Sequence, residues 1–440
     1  MDFIEAASLL DGPLYRGDPD SSPDGQMYAA NRERQGLTMQ YSKEEIRQYV
    51  AEEDIKFIRL AFCDLSGRQK NISIHPDELD RALQYGIAFD ASAIPGFGDE
   101  VHSDLFLQPD TSTLCLLPWR PDHGRVARMF CGIVRPDGTP FEADTRQLLR
   151  QAVREAEDMG VTFAFGTEME FYLFQRDELG EPTKQPYDHA GYMDIAPEDK
   201  GENVRREICL TLEQMGIRPE CSHHEQGPGQ NEIDFRYSRP LTAADNAVTF
   251  RTVVDSVAVR SGLAADFSPK PISGQPGNGM HINISAKSAD GADVMPLIIA
   301  GILAHIREMT VFLNTVDASY LRFGGSKAPR YISWSSENRS QLIRIPAAQG
   351  EYRRAELRSP DPLCNPYLAF ALLIYAGLDG IRRALPLPAA ADINFFTASQ
   401  QVKERFETLP ATLPQARALA AGSPFLAELL PPAVLEYYTK

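Results

Sequence analysis

The chain is short of positive charge. Its 44 Lys and Arg stand against 61 Asp and Glu, a net charge of −17 over 440 residues. That balance argues against a nucleic-acid or anionic-membrane partner, since both select basic surfaces. No apolar run reaches membrane-spanning length. The start Met1-Asp2-Phe3-Ile4-Glu5 lacks the positive lead and apolar core of a signal peptide, so a cytoplasmic location is expected. Six cysteines are scattered, with no Cys-x-x-Cys pair. They read as reduced thiols and exclude a disulfide or zinc framework. Also missing are Gly-x4-Gly-Lys-Ser/Thr, a dinucleotide Gly-x-Gly-x-x-Gly after a strand, and His-Glu-x-x-His. A nucleotide, if bound, must be held through metals and arginines rather than a phosphate-cradling loop.

What is present is a recurring acidic alternation. Glu168 and Glu170 sit at i, i+2 inside the strand-like run Val161 to Phe174, so both point the same way. Alone, such a pair is usually one solvated face of a sheet. It has company here. Glu225 and Glu232 flank the turn Gln226-Gly227-Pro228-Gly229, and Glu232-Ile233-Asp234 follows. His281 alternates with Asn283, and Glu356 with Arg358. Four such segments suggest that carboxylates, one imidazole and guanidinium groups face one cavity. Clustered like charges are unfavourable unless a cation lies among them. The set suits hard divalent cations holding a polyphosphate.

At 440 residues, 43% hydrophobic and 24% charged, the chain is long enough for two or more domains. Residues 1–40 are rich in Asp, Gly, Pro and Ser and read as a loosely ordered extension. Ser42 caps a helix, with Glu45 at the reciprocal position. Strands follow at Lys56 to Cys63, Gln69 to Ile74 and Thr113 to Leu117, with a helix at Pro76 to Tyr85. Residues 41–140 thus form a compact α+β module. Residues 141–440 open with a helix from Asp144 to Met159. Further helices are expected at Ala243 to Ser261, Met295 to Thr310 and Pro366 to Leu385, beside an antiparallel-rich sheet with helices on one side.

Five segments, in order, carry a resemblance. They are Phe89-Asp90-Ala91-Ser92 through Phe97, Gly166-Thr167-Glu168-Met169-Glu170-Phe171, His223-His224-Glu225 through Glu232, Pro269-Lys270-Pro271 through His281, and Asn338-Arg339 through Pro346, continuing at Arg354 through Phe370. From about Tyr41 onward the chain resembles the glutamine synthetase family. The resemblance implies a small β-grasp N-terminal domain and a larger catalytic domain with a curved antiparallel sheet and flanking helices. It also implies an ATP-dependent carboxylate–amine ligase that passes through an acyl phosphate.

Carried over residue by residue, Glu170, Glu225 and Glu232 resemble the ligands of one metal, and Glu168, His281 and Glu356 those of a second, with Mg²⁺ or Mn²⁺ as the ions. Arg339, Arg344 and Arg354 match arginines on the transferring phosphoryl and the nucleotide. Arg322 and Arg358, with Gly277, match positions that hold the carboxylate substrate. Glu220, Asn283 and Ser285 fall where the family meets ATP. Asp90 matches an aspartate supplied from the neighbouring subunit, so a homo-oligomer is implied, a dodecamer of two stacked hexameric rings.

Three departures stand out. Lys327 falls where the family's flap carries a glutamate that helps take a proton from ammonium. Pro276 replaces an asparagine of the substrate loop. Asn283 replaces a histidine near the nucleotide. The loop Asn394-Phe395-Phe396-Thr397 has no counterpart of the tyrosine that some relatives adenylylate. The metal and phosphoryl half looks intact and the acceptor half altered, which points to an amine other than ammonia. Glutamine synthetase itself is the alternative, and an inactive structural relative a third reading.

Overall fold

The computed structural model describes residues 41–98, 101–120, 122–325, 327–348, 350 and 353–440. The expected extension over residues 1–40 lies outside them.

The first sheet belongs to the N-terminal part. Helix α1 (Lys43–Glu52) begins with the expected reciprocal cap: Ser42 N–H donates to Glu45 at 2.7 Å, and Glu45 N–H donates to Ser42 Oγ at 3.2 Å. Strands β1 (Ile55–Cys63) and β2 (Gln69–Ile74) form a hairpin. Helix α2 (Leu79–Tyr85), β3 (Ile87–Asp90), β4 (Asp104–Pro109), β5 (Cys115–Leu116) and β6 (Arg125–Val134) complete the module. The order is β2-β1-β6-β4-β3, with β1 and β6 parallel at the centre. The strand expected from Thr113 to Leu117 is shorter, Cys115–Leu116, because a 3-10 turn over Thr111–Thr113 precedes it. Asp110 accepts from Ser112 N–H and tightens the chain there, leaving two paired residues.

The second sheet is built around β7 (Val161–Arg176), with β8 (Pro182–Pro186), β9 (Pro219–His224), β10 (Gln230–Phe235), β11 (Leu263–Asp266), β12 (Met280–Ser288), β13 (Trp334–Ser336), β14 (Ile343–Ile345) and β15 (Ala355–Leu357). Its order is β13-β14-β15-β12-β7-β10-β9, with β8 and β11 also on β7. The pairings are antiparallel except β13 with β14, and the sheet curls into a half-barrel.

Alternation along β7 divides the molecule. Phe163, Phe165, Met169, Phe171 and Leu173 are buried in the core. Packed around that core are α3 (Thr145–Asp158), α4 (Glu202–Gln214), α5 (Pro240–Arg260), α6 (Met295–Leu313) and α8 (Pro366–Arg382), with the short α7 (Asp317–Tyr320) between the last two. Phe165 stacks on Phe370 of α8 at 4.4 Å. Helices α6 and α8 cross closely: a Cβ on Gly301 would stand 2.0 Å from Ala376 O, and one on Gly380 2.1 Å from Leu297 O. Glycine is what permits the approach.

Helix α6 corrects one sequence expectation. Its 19 residues, at mean hydropathy 1.6, are long and apolar enough to cross a membrane by length and composition alone. Most of its residues are instead buried in the protein core, from Ile298 to Leu313.

Candidate active site

The opposite face of the second sheet collects the acids. Strand register does this directly. In β10, Glu232 stands opposite Glu170 and Asp234 opposite Glu168. In β12, His281 stands opposite Glu168. In β15, Glu356 lies opposite both Asn283 and Arg344. In β9, His223 is opposite Glu232. Residues more than a hundred positions apart therefore share one side. Ligand atoms of Glu168, His281 and Glu356 lie within 4.8 Å of one another; so do those of His223, Glu225 and Glu232, and those of Glu168, Glu232 and Asp234.

The two ends of this acidic floor differ electrically from its middle. Burial raises Glu168, but His281 Nδ1 at 3.1 Å and the Asn283 amide at 2.9 Å outweigh it and hold its carboxyl at about 2. Glu356 is also compensated: Arg344 Nη1 donates to it at 2.6 Å and Arg358 Nε at 3.0 Å. Glu225 feels burial too, yet His223 and Lys327 hold it at about 2. Between them the acids lack cations. Burial, reinforced by Glu225, pushes Glu170 up, although Gly279 N–H donates to it at 2.7 Å. Burial, then Glu170 and Asp234, push Glu232 well up. Asp234 rises to about 7, from burial and the Glu168 charge. His223 Nδ1 and Asp234 Oδ1 are buried and have no hydrogen-bond partner among the described residues. Unfilled acceptors and uncompensated carboxylates together fit divalent cations.

The loops around this floor are tightly built. At Gly277 a Cβ would meet Pro269 O at 2.2 Å and Arg322 Cγ at 2.8 Å, so only glycine fits. Tyr172 OH donates to Pro276 O at 2.7 Å; the proline's carbonyl is used where its N–H is absent. Arg322 is buried and donates to Ser359 O at 3.1 Å. Arg339 has an exposed side chain, and its carbonyl accepts from Arg358. Asp90, at the end of β3, is exposed and accepts from Ser92 N–H at 3.0 Å and Ser92 Oγ at 2.6 Å. None of the acidic-floor residues is among its described partners. Lys327 does not point to solvent. Its ammonium pairs with Glu225 and lies 4.8 Å from the Tyr192 ring centroid. Glu337, a candidate substitute base, is exposed and turned at φ 61°, and Glu351 lies outside the described residues.

Beside the acidic floor is a small, partly open recess. Glu220, Asn283, Ser285 and Arg354 line it together with Phe235 and Tyr237. Arg354 Nε donates to Asn283 Oδ1 at 2.8 Å, so the recess joins the Glu168 end through Asn283. An aromatic wall, hydroxyls and one guanidinium suit a nucleoside with phosphates directed toward the acids.

Sequence reasoning assigned no role to His223, Asp234, Gln230 or Tyr192. His223 and Asp234 were legible in principle, as alternating positions on β9 and β10. Gln230, whose Nε2 donates to Glu170 at 3.2 Å, and Tyr192 carry no local signal. A second cluster with ligand-like spacing, Asp188, Asp199 and His224, also escaped sequence reasoning.

The chain is similar to known proteins over most of its length. The model of "Glutamine synthetase, beta-Grasp domain" matches residues 54–136, and that of "Glutamine synthetase, catalytic domain" matches residues 142–440. A protein of Clostridium saccharobutylicum named glutamine synthetase is 46% identical over 391 residues, 86% of this chain and 88% of its own length. One of Methanosarcina mazei with the same name is 45% identical over 413 residues, 90% and 92% of the two chains. A solved structure titled "GmaS/ADP complex" superposes with a TM-score of 0.81 at 28% identity, covering 91% of this chain and 94% of that one.

Proposed function

The chain belongs to the glutamine synthetase family, ligases that form C–N bonds, and from that premise we propose that it joins glutamate or a related carboxylate to an amine other than ammonia. ATP is the energy source and the intermediate is an acyl phosphate. Splitting the reaction this way replaces a poor leaving group, the carboxylate oxygen, by a good one, phosphate. Phosphoryl transfer itself is then mostly positioning and charge neutralisation.

One expected group stands at ligand distance, Glu168 with His281 and Glu356; in the other, Glu225 and Glu232 come together with His223, while Glu170 stands opposite Glu232 on the neighbouring strand. Glu168, His281 and Glu356 would hold one divalent cation, and Glu170, Glu225 and Glu232 another, with His223 close enough to join. Mg²⁺ or Mn²⁺ bound there would neutralise the phosphates and hold the reacting oxygens in line. The chain's own cations do the rest. Arg344 and Arg354 flank the recess and the Glu356 end, where they can meet phosphate oxygens. Arg339, exposed on its turn, is free to swing onto the transferred group. Arg322 and Arg358 are buried and fixed, as a carboxylate clamp must be.

The observation that carries the acceptor reading is Lys327. It places a fixed positive charge beside Glu225, on the flap. An ammonium ion needs a negative pocket and a base before it can attack. A lysine engaged with the nearby carboxylate offers neither. A primary amine that loses its proton elsewhere, or one carrying its own carboxylate, tolerates that lysine. The second reading, ammonia as acceptor, is supported by the relatives at 45–46% identity named glutamine synthetase and by Glu225 already neutralising the lysine. Phosphate release with ATP, Mg²⁺ and glutamate across a panel of amines separates the two. Turnover with ammonia at or above about 10⁴ M⁻¹s⁻¹ in kcat/KM sinks the first reading. If ammonia is poor, Lys327→Glu should improve it and depress use of the preferred amine.

We also propose a homo-oligomer with shared sites, because Asp90 falls where the family supplies an aspartate from the neighbouring subunit, and its described side-chain hydrogen bonds go only to Ser92. Two stacked rings of six are the expected form. Mixing inactive Asp90→Ala and inactive Glu232→Ala chains should restore part of the activity, because some interfaces regain one complete site. A fully active monomer, or no rescue in mixed rings, ends the shared-site reading.

A further inference from the structure

We propose that the cavity beside the flap, apart from the acidic floor and the nucleotide recess, is a second binding site for a planar aromatic anion. The cavity has a volume of about 440 Å³ and is lined by Phe323, Arg330, Tyr331, Phe395, Phe396 and Lys403. The volume is that of a small-molecule pocket. Its walls are rings. Tyr331 stacks on Phe395 at 4.7 Å, Phe406 packs edge-on behind Phe395 at 4.9 Å, and Phe396 is 41% exposed. Phe395 is buried under Tyr331, so the exposed Phe396 ring is the one that can stack a flat guest.

Its charged groups, among the described residues, are both cations. Arg330 and Lys403 are half-buried, and neither has an ion pair or side-chain hydrogen bond among the described residues. No acidic residue lines the cavity. In a chain with 61 acids against 44 bases, two uncompensated cations facing one aromatic hollow are unusual. An anionic group between them supplies the missing counter-charge, and the guanidinium favours a carboxylate or phosphate.

Both walls connect to the reaction centre. Phe323 and Gly324 follow Arg322 and lead into the flap that bears Lys327. On the other side, Phe395 N–H donates to Ser340 Oγ at 3.0 Å, while Asn338 and Gln341 amides donate to Ile393 O at 2.9 and 2.8 Å. That segment carries Arg339. An occupant therefore touches the residues that lead into the flap and, on the other side, the loop that is hydrogen-bonded to the arginine turn. The site stands on the cavity alone and does not depend on which amine is the acceptor.

Calorimetric titration of the full chain, saturated with ADP and Mg²⁺ to fill the nucleotide recess, tests it. The probes are indole-3-acetate and phenyl phosphate, which separate an aryl carboxylate from an aryl phosphate. One site per chain with a Kd below about 1 mM is expected for at least one probe, and the tighter probe names the anion. Lys403→Ala and Phe396→Ala, both at partly exposed positions, should each weaken binding by about tenfold. The proposal is overturned if neither probe binds by about 10 mM, if binding requires that ADP be left out, or if it is unchanged in both variants.

Discussion

Two buried clusters in this protein have the ligand spacing of a metal site, and they behave oppositely. In the acidic floor, Glu170, Glu232 and Asp234 are pushed upward by burial and by one another. In the cluster of Asp188, Asp199 and His224, charges pair off. His224 Nε2 is 2.8 Å from Asp188 Oδ1 and its Nδ1 is 2.6 Å from Glu225 O, so both ring nitrogens face acceptors. Asp199 is bound by the Arg205 guanidinium, which also donates to Asn231 at 2.7 Å. Burial opposes the charge on Asp188, yet its His224 partner prevails and lowers it; for His224, Asp188 prevails and raises it. Spacing alone does not distinguish the two clusters. Charge balance does, because a buried acid with its own cation has no need of a metal. The balanced cluster anchors the turn that carries Glu225: Gly229 N–H donates to Asp188 at 3.0 Å.

The contrast can be broken first by catalysis. Glu170→Ala or Glu232→Ala should cut turnover by about a thousandfold or more, the scale of lost electrostatic stabilisation of a developing charge, without unfolding the chain. Normal phosphate release in either variant removes the metal reading. Next in size is folding. Asp188→Asn leaves a buried imidazolium unpaired and should lower unfolding stability by about 3–5 kcal/mol, measured by urea titration. A loss below about 0.5 kcal/mol means that the pair is no anchor. Smaller again is metal linkage. Mn²⁺ at a hundredfold over its Kd should stabilise the protein by about 2.7 kcal/mol. Glu232→Gln should lose that response while Asp188→Asn keeps it, and the reverse pattern would exchange the roles of the two clusters.

A surface-near analogue of the balanced pair gives the smallest effect. His305 lies 2.5 Å from Glu308 and 2.8 Å from Asp379 and stacks on Phe425. Burial lowers its pKa, but the two carboxylates prevail and raise it. A folded-state value above the unfolded one contributes stability that is complete below the unfolded pKa. That contribution is lost as pH rises through the folded pKa. The stability difference between the protein and His305→Gln should shrink, by up to about 1 kcal/mol, as pH rises above the ordinary imidazole value of about 6.5. A difference independent of pH refutes the pairing.

Much of the site was readable along the chain because it depends on local periodicity. Glu168 and Glu170 fall on one side of β7 for the same reason that Phe165, Met169 and Phe171 fall on the other. The Ser42 and Glu45 cap, the Asn365 cap of α8 and the helices that follow are likewise short-range. The 3-10 turn at Thr111–Thr113 was missed because the Asp110 side chain competes with the strand there.

From its residues alone, the chain determined which side chains face together within each strand, that acids outnumber bases, and which family segments recur in order. Pairing across the sheet decided the rest. It set Glu232 against Glu170 and Glu356 beside Arg344. It brought Lys327 onto Glu225, 102 positions away, and it gave Asp188 and Asp199 their cations. Whether a buried carboxylate is balanced depends on the nearest opposite charge in space, and that neighbour is set by register and loop packing rather than by distance along the chain.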